Sequence, residues 1–116
     1  MGFWRKDVID FALDQETRAH IEEQLAWIER EPDNAQPYYH LAQLYRMQGK
    51  QEEGLALLLE AVRLDPALAA AHVGLAEIYA VRADYAAAWR HARAAERAGD
   101  RAGVELLLRY GVPDTL

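Results

Sequence analysis

Small and apolar residues of this chain recur at a spacing of 34 residues. The recurring residues are Tyr38, Leu41, Ala42, Tyr45, Ala61 and Pro66 in one copy and His72, Leu75, Ala76, Tyr79, Ala95 and Asp100 in the next. Repeats of this length are typical of stacked helix pairs, in which each unit buries its apolar face against its neighbours. The period therefore predicts an all-α repeat protein.

Glycine, proline and capping residues predict where the helices of the two copies begin and end. Gly49 ends the first helix, and the second stops before the Asp65–Pro66 pair because a residue that precedes proline avoids the helical region. Asp84 is a candidate N-cap in the next copy, since its carboxylate can accept hydrogen bonds from the first turn of a helix. The bounds predicted for three of these helices are 35–48, 69–82 and 85–98.

The closing segment of the chain has the pattern of a short amphipathic end helix. It begins with the capping residue Asp100, carries Val104 and Leu107 at helical spacing, and ends at Gly111. A helix array leaves an apolar face exposed after its last repeat, and an amphipathic helix can cover that face.

Two interpretations are open for the first 30 residues. In the first, a short helix with Trp4, Val8, Phe11 and Ala12 on one face precedes a second helix with Ile21, Leu25 and Ile28 on one face. The polar run 14–18 would separate the two helices. In the second, residues 3–30 form a single long helix, because no Gly or Pro enforces a break in that run.

These residues resemble the tetratricopeptide repeat family, whose pattern sets bulky, small and proline positions at fixed offsets. The first full copy, residues 35–68, carries the pattern at Tyr38, Leu41, Ala42, Tyr45, Gly54, Leu58, Ala61 and Pro66. The second copy, residues 69–99, keeps it at Leu75, Ala76, Tyr79, Ala88 and Ala95. That copy has Ala92 at a bulky site and lacks the closing proline.

One period earlier the pattern is weaker. Trp4, Val8, Phe11, Trp27 and Pro32 fall at repeat positions, whereas Asp7, His20 and Gln24 break the pattern. Residues 1–34 are therefore interpreted as a degenerate repeat. The resemblance implies a right-handed α-solenoid of stacked antiparallel helix pairs in one domain of residues 1–116, with residues 100–111 as a capping helix.

The resemblance also implies that the first helix of each repeat lines a concave groove. The groove residues that it implies are Gln36, Tyr39, Gln43, Arg46 and Met47 in the first full copy and Ala70, Val73, Glu77, Ala80 and Val81 in the second. Tyr39 and Met47 offer apolar contact, while Arg46 offers a guanidinium that matches a carboxylate. This mixture favours a peptide segment over a small polar metabolite, so we expect a protein–protein interaction module.

Self-assembly is the alternative function. The apolar residues near the start, Phe3, Trp4, Ile9 and Phe11, would then dock on a neighbouring molecule. Charge is also uneven: residues 1–33 hold nine acids against four bases, a balance of −5, and residues 82–116 hold six arginines against five acids, a balance of +1. This asymmetry fits head-to-tail association, although ordinary solvated helix faces account for it as well.

Composition excludes several other classes of protein. An apolar fraction of 52% with a net charge of −6 is ordinary for a folded globular chain. The chain is acidic and has no basic stripe interleaved with aromatic residues, so we expect no nucleic-acid partner. No stretch approaches the length of a membrane span and no secretion signal is apparent, so we expect no membrane partner and a cytoplasmic location.

Catalytic and cofactor signatures are missing from the sequence. The four histidines include no pair at metal-ligating spacing, and the chain has no cysteine. His40 and His72 could share a metal ion only if the fold brought them together. With no phosphate loop and no nucleophile motif, we expect neither an enzyme nor a bound cofactor or metal.

Overall fold

The computed structural model describes residues 2–114, with the side chains of residues 2–7, 10 and 11 outside the description. The described chain forms six helices: α1 (Gly2–Arg30), α2 (Ala35–Met47), α3 (Gln51–Leu64), α4 (Ala69–Val81), α5 (Tyr85–Arg97) and α6 (Ala102–Arg109). The helices pack as sequential antiparallel pairs, which confirms the all-α fold class expected from the sequence.

The two clear repeats are the helix pairs α2–α3 and α4–α5. Within each pair the helices pack along their lengths, and α3 then packs on α4 to join the repeats. The short helix α6 packs on α5 and also reaches α4. Stacking of this kind, in which each helix contacts its neighbours along the chain, is that of a helical repeat array.

The structure decides between the two possibilities for the first 30 residues, because α1 is one continuous helix. It shows no break at residues 14–18, where the sequence contains neither Gly nor Pro. The first period of the chain thus supplies one helix where the later periods supply a pair. With 29 residues, α1 is about 43 Å long at 1.5 Å per residue, and it packs on α2, which has only 13 residues.

Four helices end in the same hydrogen-bonded turn. After α2, the Gly49 N–H donates to the Arg46 carbonyl (3.0 Å) and the Lys50 N–H to the Tyr45 carbonyl (2.9 Å), which is a Schellman motif. The turns after α4, α5 and α6 repeat this pair of bonds. One residue in each of the four turns has a positive φ; these residues are Gly49, Ala83, Gly99 and Gly111. Three turns therefore use glycine at this position and one uses alanine.

Small residues let the helices approach closely. Ala42, Ala61, Ala76, Ala88 and Ala95, the alanines at repeat positions, are all completely buried. At Gly103 a methyl group would lie 3.3 Å from the Ala92 Cα, so α6 sits almost directly on the backbone of α5. Bulk between these small residues comes from Leu58 and Leu75 in one part of the core and from Trp89 in the other.

The N-cap expected at Asp84 is confirmed, since its carboxylate accepts the Ala87 N–H at 3.2 Å. Asn34 has the same role at α2, where its side-chain oxygen accepts the Gln36 N–H at 3.0 Å. Among the described residues, no helix is both long enough and apolar enough to cross a membrane.

Candidate functional site

Four adjoining pockets on one side of the helix array share a single residue, Glu77 of α4. They form one depression, which we call the inner groove, between α2, α4 and α6. The α2 side of the inner groove is lined by Gln43, Arg46, Met47 and Gln51. The α6 side is lined by Leu106, Leu107, Tyr110 and Val112 together with Ala80 and Val81 of α4, around a pocket of about 580 Å³.

A partly buried ion pair crosses the inner groove and ties α2 to α4. The Arg46 Nη2 donates to the Glu77 Oε2 at 3.2 Å, and its Nη1 donates to the Gln43 Oε1 at 3.1 Å. The Arg46 side chain is only 20% exposed, so water screens this pair less than a surface pair. The bridge connects the first helices of the two repeats, and it fixes the position of Glu77 at the centre of the groove.

Two glycines make room for the Arg46 side chain. A methyl group on Gly54 of α3 would lie 2.6 Å from the Arg46 Cγ, and one on Gly74 of α4 would lie 3.4 Å from its Nη1. The guanidinium Nε is buried and has no hydrogen-bond partner in the described structure. Arg46 is therefore enclosed by the packing of three helices, and its guanidinium fork is already engaged with Glu77.

The exposed apolar residues of the inner groove follow the repeat. Met47 is 74% exposed and Val81 is 88% exposed, and these residues lie 34 positions apart in the chain. Large apolar side chains left open to water at the same position of two repeats have no role in the core. Exposed apolar surface of this kind is typical of a contact site for another molecule.

Most of the residues that the sequence placed in the groove come together. Gln43, Arg46, Met47, Val73, Glu77, Ala80 and Val81 line the four pockets. Gln36, Tyr39 and Ala70 lie outside these pockets. Gln36 is exposed at the start of α2, Ala70 is half-buried, and Tyr39 is half-buried with its ring 5.4 Å from the ring of His40. A binding role for any of these residues stays a prediction.

The contribution of α6 to the groove was missed by sequence reasoning. The segment was interpreted as a cap, and its residues Val104 and Leu107 are indeed buried against α4 and α5. Leu106 and Tyr110 face the pocket instead, and Tyr110 is 72% exposed. The sequence contained a signal for this role, because α6 has three consecutive leucines, 106–108, and one buried face of a helix cannot take up all three.

The residues proposed for self-association lie mainly outside the described side chains. This holds for Phe3, Trp4 and Phe11, whereas Ile9 is described and exposed. The backbone places all four on α1.

Two histidines that the sequence did not pair are in contact. The His72 Nε2 lies 2.8 Å from the Pro66 carbonyl oxygen, which can only accept, so this nitrogen carries the proton. In the neutral ring the Nδ1 of His72 then accepts from the Nδ1–H of His91, at 3.0 Å. One period earlier, the Tyr38 hydroxyl donates to the Pro32 carbonyl at 2.9 Å, so the two repeats share this bond.

The environment of His91 disfavours its charged form. Burial, the neighbouring His72 and the Arg90 guanidinium lower the pKa of His91 from 6.5 to about 4. The Tyr79 ring also stacks on His91, with 5.6 Å between ring centroids. His40 does not join this pair, because it stacks on Trp27 near the end of α1.

The described residues contain no cluster of three or more His, Cys, Asp or Glu side chains that would hold a metal ion. The pair formed by His40 and His72, considered from the sequence, does not occur. The contact of His72 is with His91.

The antiparallel helix pairs and the groove between their first helices define a helical repeat protein. A family model described as tetratricopeptide repeat matches residues 24–56, which include the end of α1, all of α2 and the beginning of α3. The resemblance to the tetratricopeptide repeat family is thus confirmed over these residues. Domains of this kind are in general protein–protein interaction modules and are typically not catalytic. No curated protein matches the chain.

Proposed function

We propose that this chain is an adaptor that binds a peptide segment of a partner protein in the inner groove. The observation that carries the proposal is the continuity of the groove: four pockets meet at Glu77, and the equivalent residues Met47 and Val81 leave large apolar side chains exposed along it. A continuous surface that runs across three helices suits a chain segment better than a compact ligand.

The two parts of the groove differ in chemistry. Beside α2, the amides of Gln43 and Gln51 supply donors and acceptors for an extended backbone. Between α4 and α6, the pocket lined by Val81, Leu106 and Tyr110 accepts apolar side chains. We therefore expect a segment that has apolar residues at one end and polar residues at the other. The Arg46 guanidinium stabilises Glu77 and is not expected to grip the carboxylate of a ligand.

A peptide library displayed against the full chain tests this proposal. Enriched peptides would be synthesised, and their affinities measured by fluorescence polarisation for the parent chain and for a Met47→Asp, Val81→Asp variant. Both side chains are exposed, so their replacement leaves the core intact. We expect the variant to bind at least about tenfold more weakly, because apolar anchors at the centre of a contact dominate affinity.

Leu59→Asp on α3 is the matched control. Leu59 is also an exposed apolar residue, but it is not among the residues that line the four pockets of the inner groove. Its replacement should leave the affinity unchanged. Peptides that bind the groove variant as tightly as the parent chain would contradict the proposal, as would equal losses in the groove variant and the control.

A further inference from the structure

The N-terminal half of α1 extends beyond the helix on which α1 packs. The chain turns back at residues 31–34 into α2, so the 13 residues of α2 can cover only the C-terminal half of the 29-residue α1. Ile9 and Leu13, one helical turn apart, are 52% and 55% exposed, and Val8 beside them is equally exposed. The projecting segment, which we take as residues 2–16, thus presents large apolar side chains to water.

A second exposed apolar surface lies at the other end of the helix array. The pocket between α4 and α6 is lined by Ala80, Val81, Leu106 and Tyr110, with Glu77 at its edge. Its volume of about 580 Å³ makes it the largest of the four pockets. Within one molecule α1 packs on α2, so the projecting segment does not fill this pocket.

The two surfaces also differ in charge. The projecting segment has four acids, Asp7, Asp10, Asp14 and Glu16, against two bases, Arg5 and Lys6, and both bases precede all four acids. The pocket between α4 and α6 is bordered on one side by Arg82, which pairs with Glu52 of α3, and on the other side by Arg109. Glu105 also lies on this border, while Glu77 is engaged by Arg46. A segment with exposed apolar residues and a net charge of −2 therefore matches an apolar pocket whose surroundings hold three arginines, Arg46, Arg82 and Arg109, against Glu77 and Glu105.

We infer that the pocket between α4 and α6 holds the projecting segment of α1 from a second copy of this chain. The inference rests on the proposed function, because it uses the α6 end of the same inner groove. An amphipathic helix that lays its apolar side into a groove is a recurring mode of recognition, with anchors spaced one turn apart. Since the two contacting surfaces differ, the association is head to tail, and it continues into longer assemblies unless the geometry closes a ring.

Two variants with one defective surface each test this inference by complementation. The segment variant, Ile9→Ser with Leu13→Ser, removes apolar contact without changing charge. The pocket variant, Val81→Ser with Tyr110→Ser, does the same on the partner surface. All four side chains are exposed, so both variants keep the fold, which circular dichroism checks. Light scattering behind gel filtration then gives the mass of each chain over about a hundredfold range of concentration.

The parent chain is expected to grow in mass with concentration, and each variant alone is expected to associate at least about tenfold more weakly. A mixture of the two variants should form a dimer of one copy of each and nothing larger, because only one intact segment and one intact pocket remain in the pair. Added salt should weaken the parent assembly, since the charges at this contact are exposed. The Leu59→Asp chain is the control and should assemble like the parent.

Three results would overturn the inference. They are a parent chain that stays monomeric at every concentration, a pocket variant that assembles like the parent, and a mixture of variants that forms no dimer. The peptide assay distinguishes a failure of the self-association inference from a failure of the proposed peptide-binding function. The segment variant keeps an intact inner groove, so it should bind selected peptides at least as tightly as the parent chain whether or not the chain self-associates.

Discussion

Ala83 occupies a backbone conformation that glycine occupies in three equivalent turns. Its φ is +62°, in the left-handed region, where the Cβ of an L-residue crowds the backbone. The corresponding residue one repeat earlier is Gly49, with φ +78°. The Schellman hydrogen bonds after α4 and the N-cap of Asp84 hold Ala83 in place against this strain.

Replacing Ala83 with glycine is expected to stabilise the protein. The change relieves the left-handed strain of about 1 kcal/mol or more, and the larger entropy of glycine in the unfolded chain offsets part of it. We expect the free energy of unfolding to rise by about 0.5 to 1 kcal/mol, measured by urea denaturation.

The control for this substitution is Ala86→Gly, which places glycine at an exposed position in the first turn of α5. It should lower the free energy of unfolding by about 0.5 kcal/mol, because glycine is a poor helix former and the cost is smaller in the first turn than in a helix interior. A loss of stability in both variants would show that the backbone at Ala83 carries no strain.

The contact between His72 and His91 predicts a loss of stability in mild acid. The folded pKa of His91 is about 4, below its ordinary 6.5, so the unfolded chain takes up this proton more readily than the folded one. The contribution is fully present above pH 6.5 and is lost as the pH falls towards 4, by roughly 2 to 3 kcal/mol in total, which is less than the full shift in pKa would give because water still reaches part of the ring.

This pH dependence is measured by urea denaturation at several pH values between 4 and 7. In His91→Gln, whose amide can still donate to the His72 Nδ1, the loss should be smaller than in the parent chain. His20→Gln is the matched control, since His20 lies half-exposed on α1, and its profile should follow that of the parent. Identical profiles for His91→Gln and the parent would refute this role for the histidine pair.

At the level of helices, the contact of α2 with α3 depends on Gly54. Alanine is the better helix former, so propensity alone favours Gly54→Ala by about 1 kcal/mol. A methyl group there would nevertheless lie 2.6 Å from the Arg46 Cγ, near the root of an enclosed side chain. We expect Gly54→Ala to lower the free energy of unfolding by about 1 to 3 kcal/mol, because overpacking outweighs propensity.

A double-mutant cycle identifies the cause of that loss. Arg46→Ala removes the Cγ that the new methyl group would meet, so in this background Gly54→Ala should be neutral or stabilising. Equal effects of Gly54→Ala in the two backgrounds, measured by denaturation, would mean that Arg46 is not the obstacle.

The ends of the helices in the repeats were predictable to within a residue or two. For the helices predicted at 35–48, 69–82 and 85–98, the structure has α2, α4 and α5, each one residue shorter at its C-terminus. Local chemistry sets these ends, through glycine turns, capping side chains and proline. At residues 3–30 the local signals conflicted, because the polar run 14–18 suggested a break that no Gly or Pro enforced, and the structure has one helix there.

The inner groove was predictable only in part. The repeat register indicated which residues of α2 and α4 share a side of the array, and Gln43, Met47, Glu77 and Val81 line its pockets. The bridge from Arg46 to Glu77 spans 31 residues and has no local pattern. The contact between His72 and His91, which are 19 residues apart, has no local pattern either. Both contacts depend on how the helices pack against each other.

At the scale of the whole molecule, we propose that α2, α4 and α6 together present one continuous binding surface around Glu77. Chemical-shift mapping by nuclear magnetic resonance tests it most directly, with a library-selected peptide titrated into the full ¹⁵N-labelled chain. We expect the largest shifts to fall on amides of these three helices, with Met47, Val81 and Tyr110 among them. Shifts confined to α3 and α5, the second helices of the repeats, would contradict it.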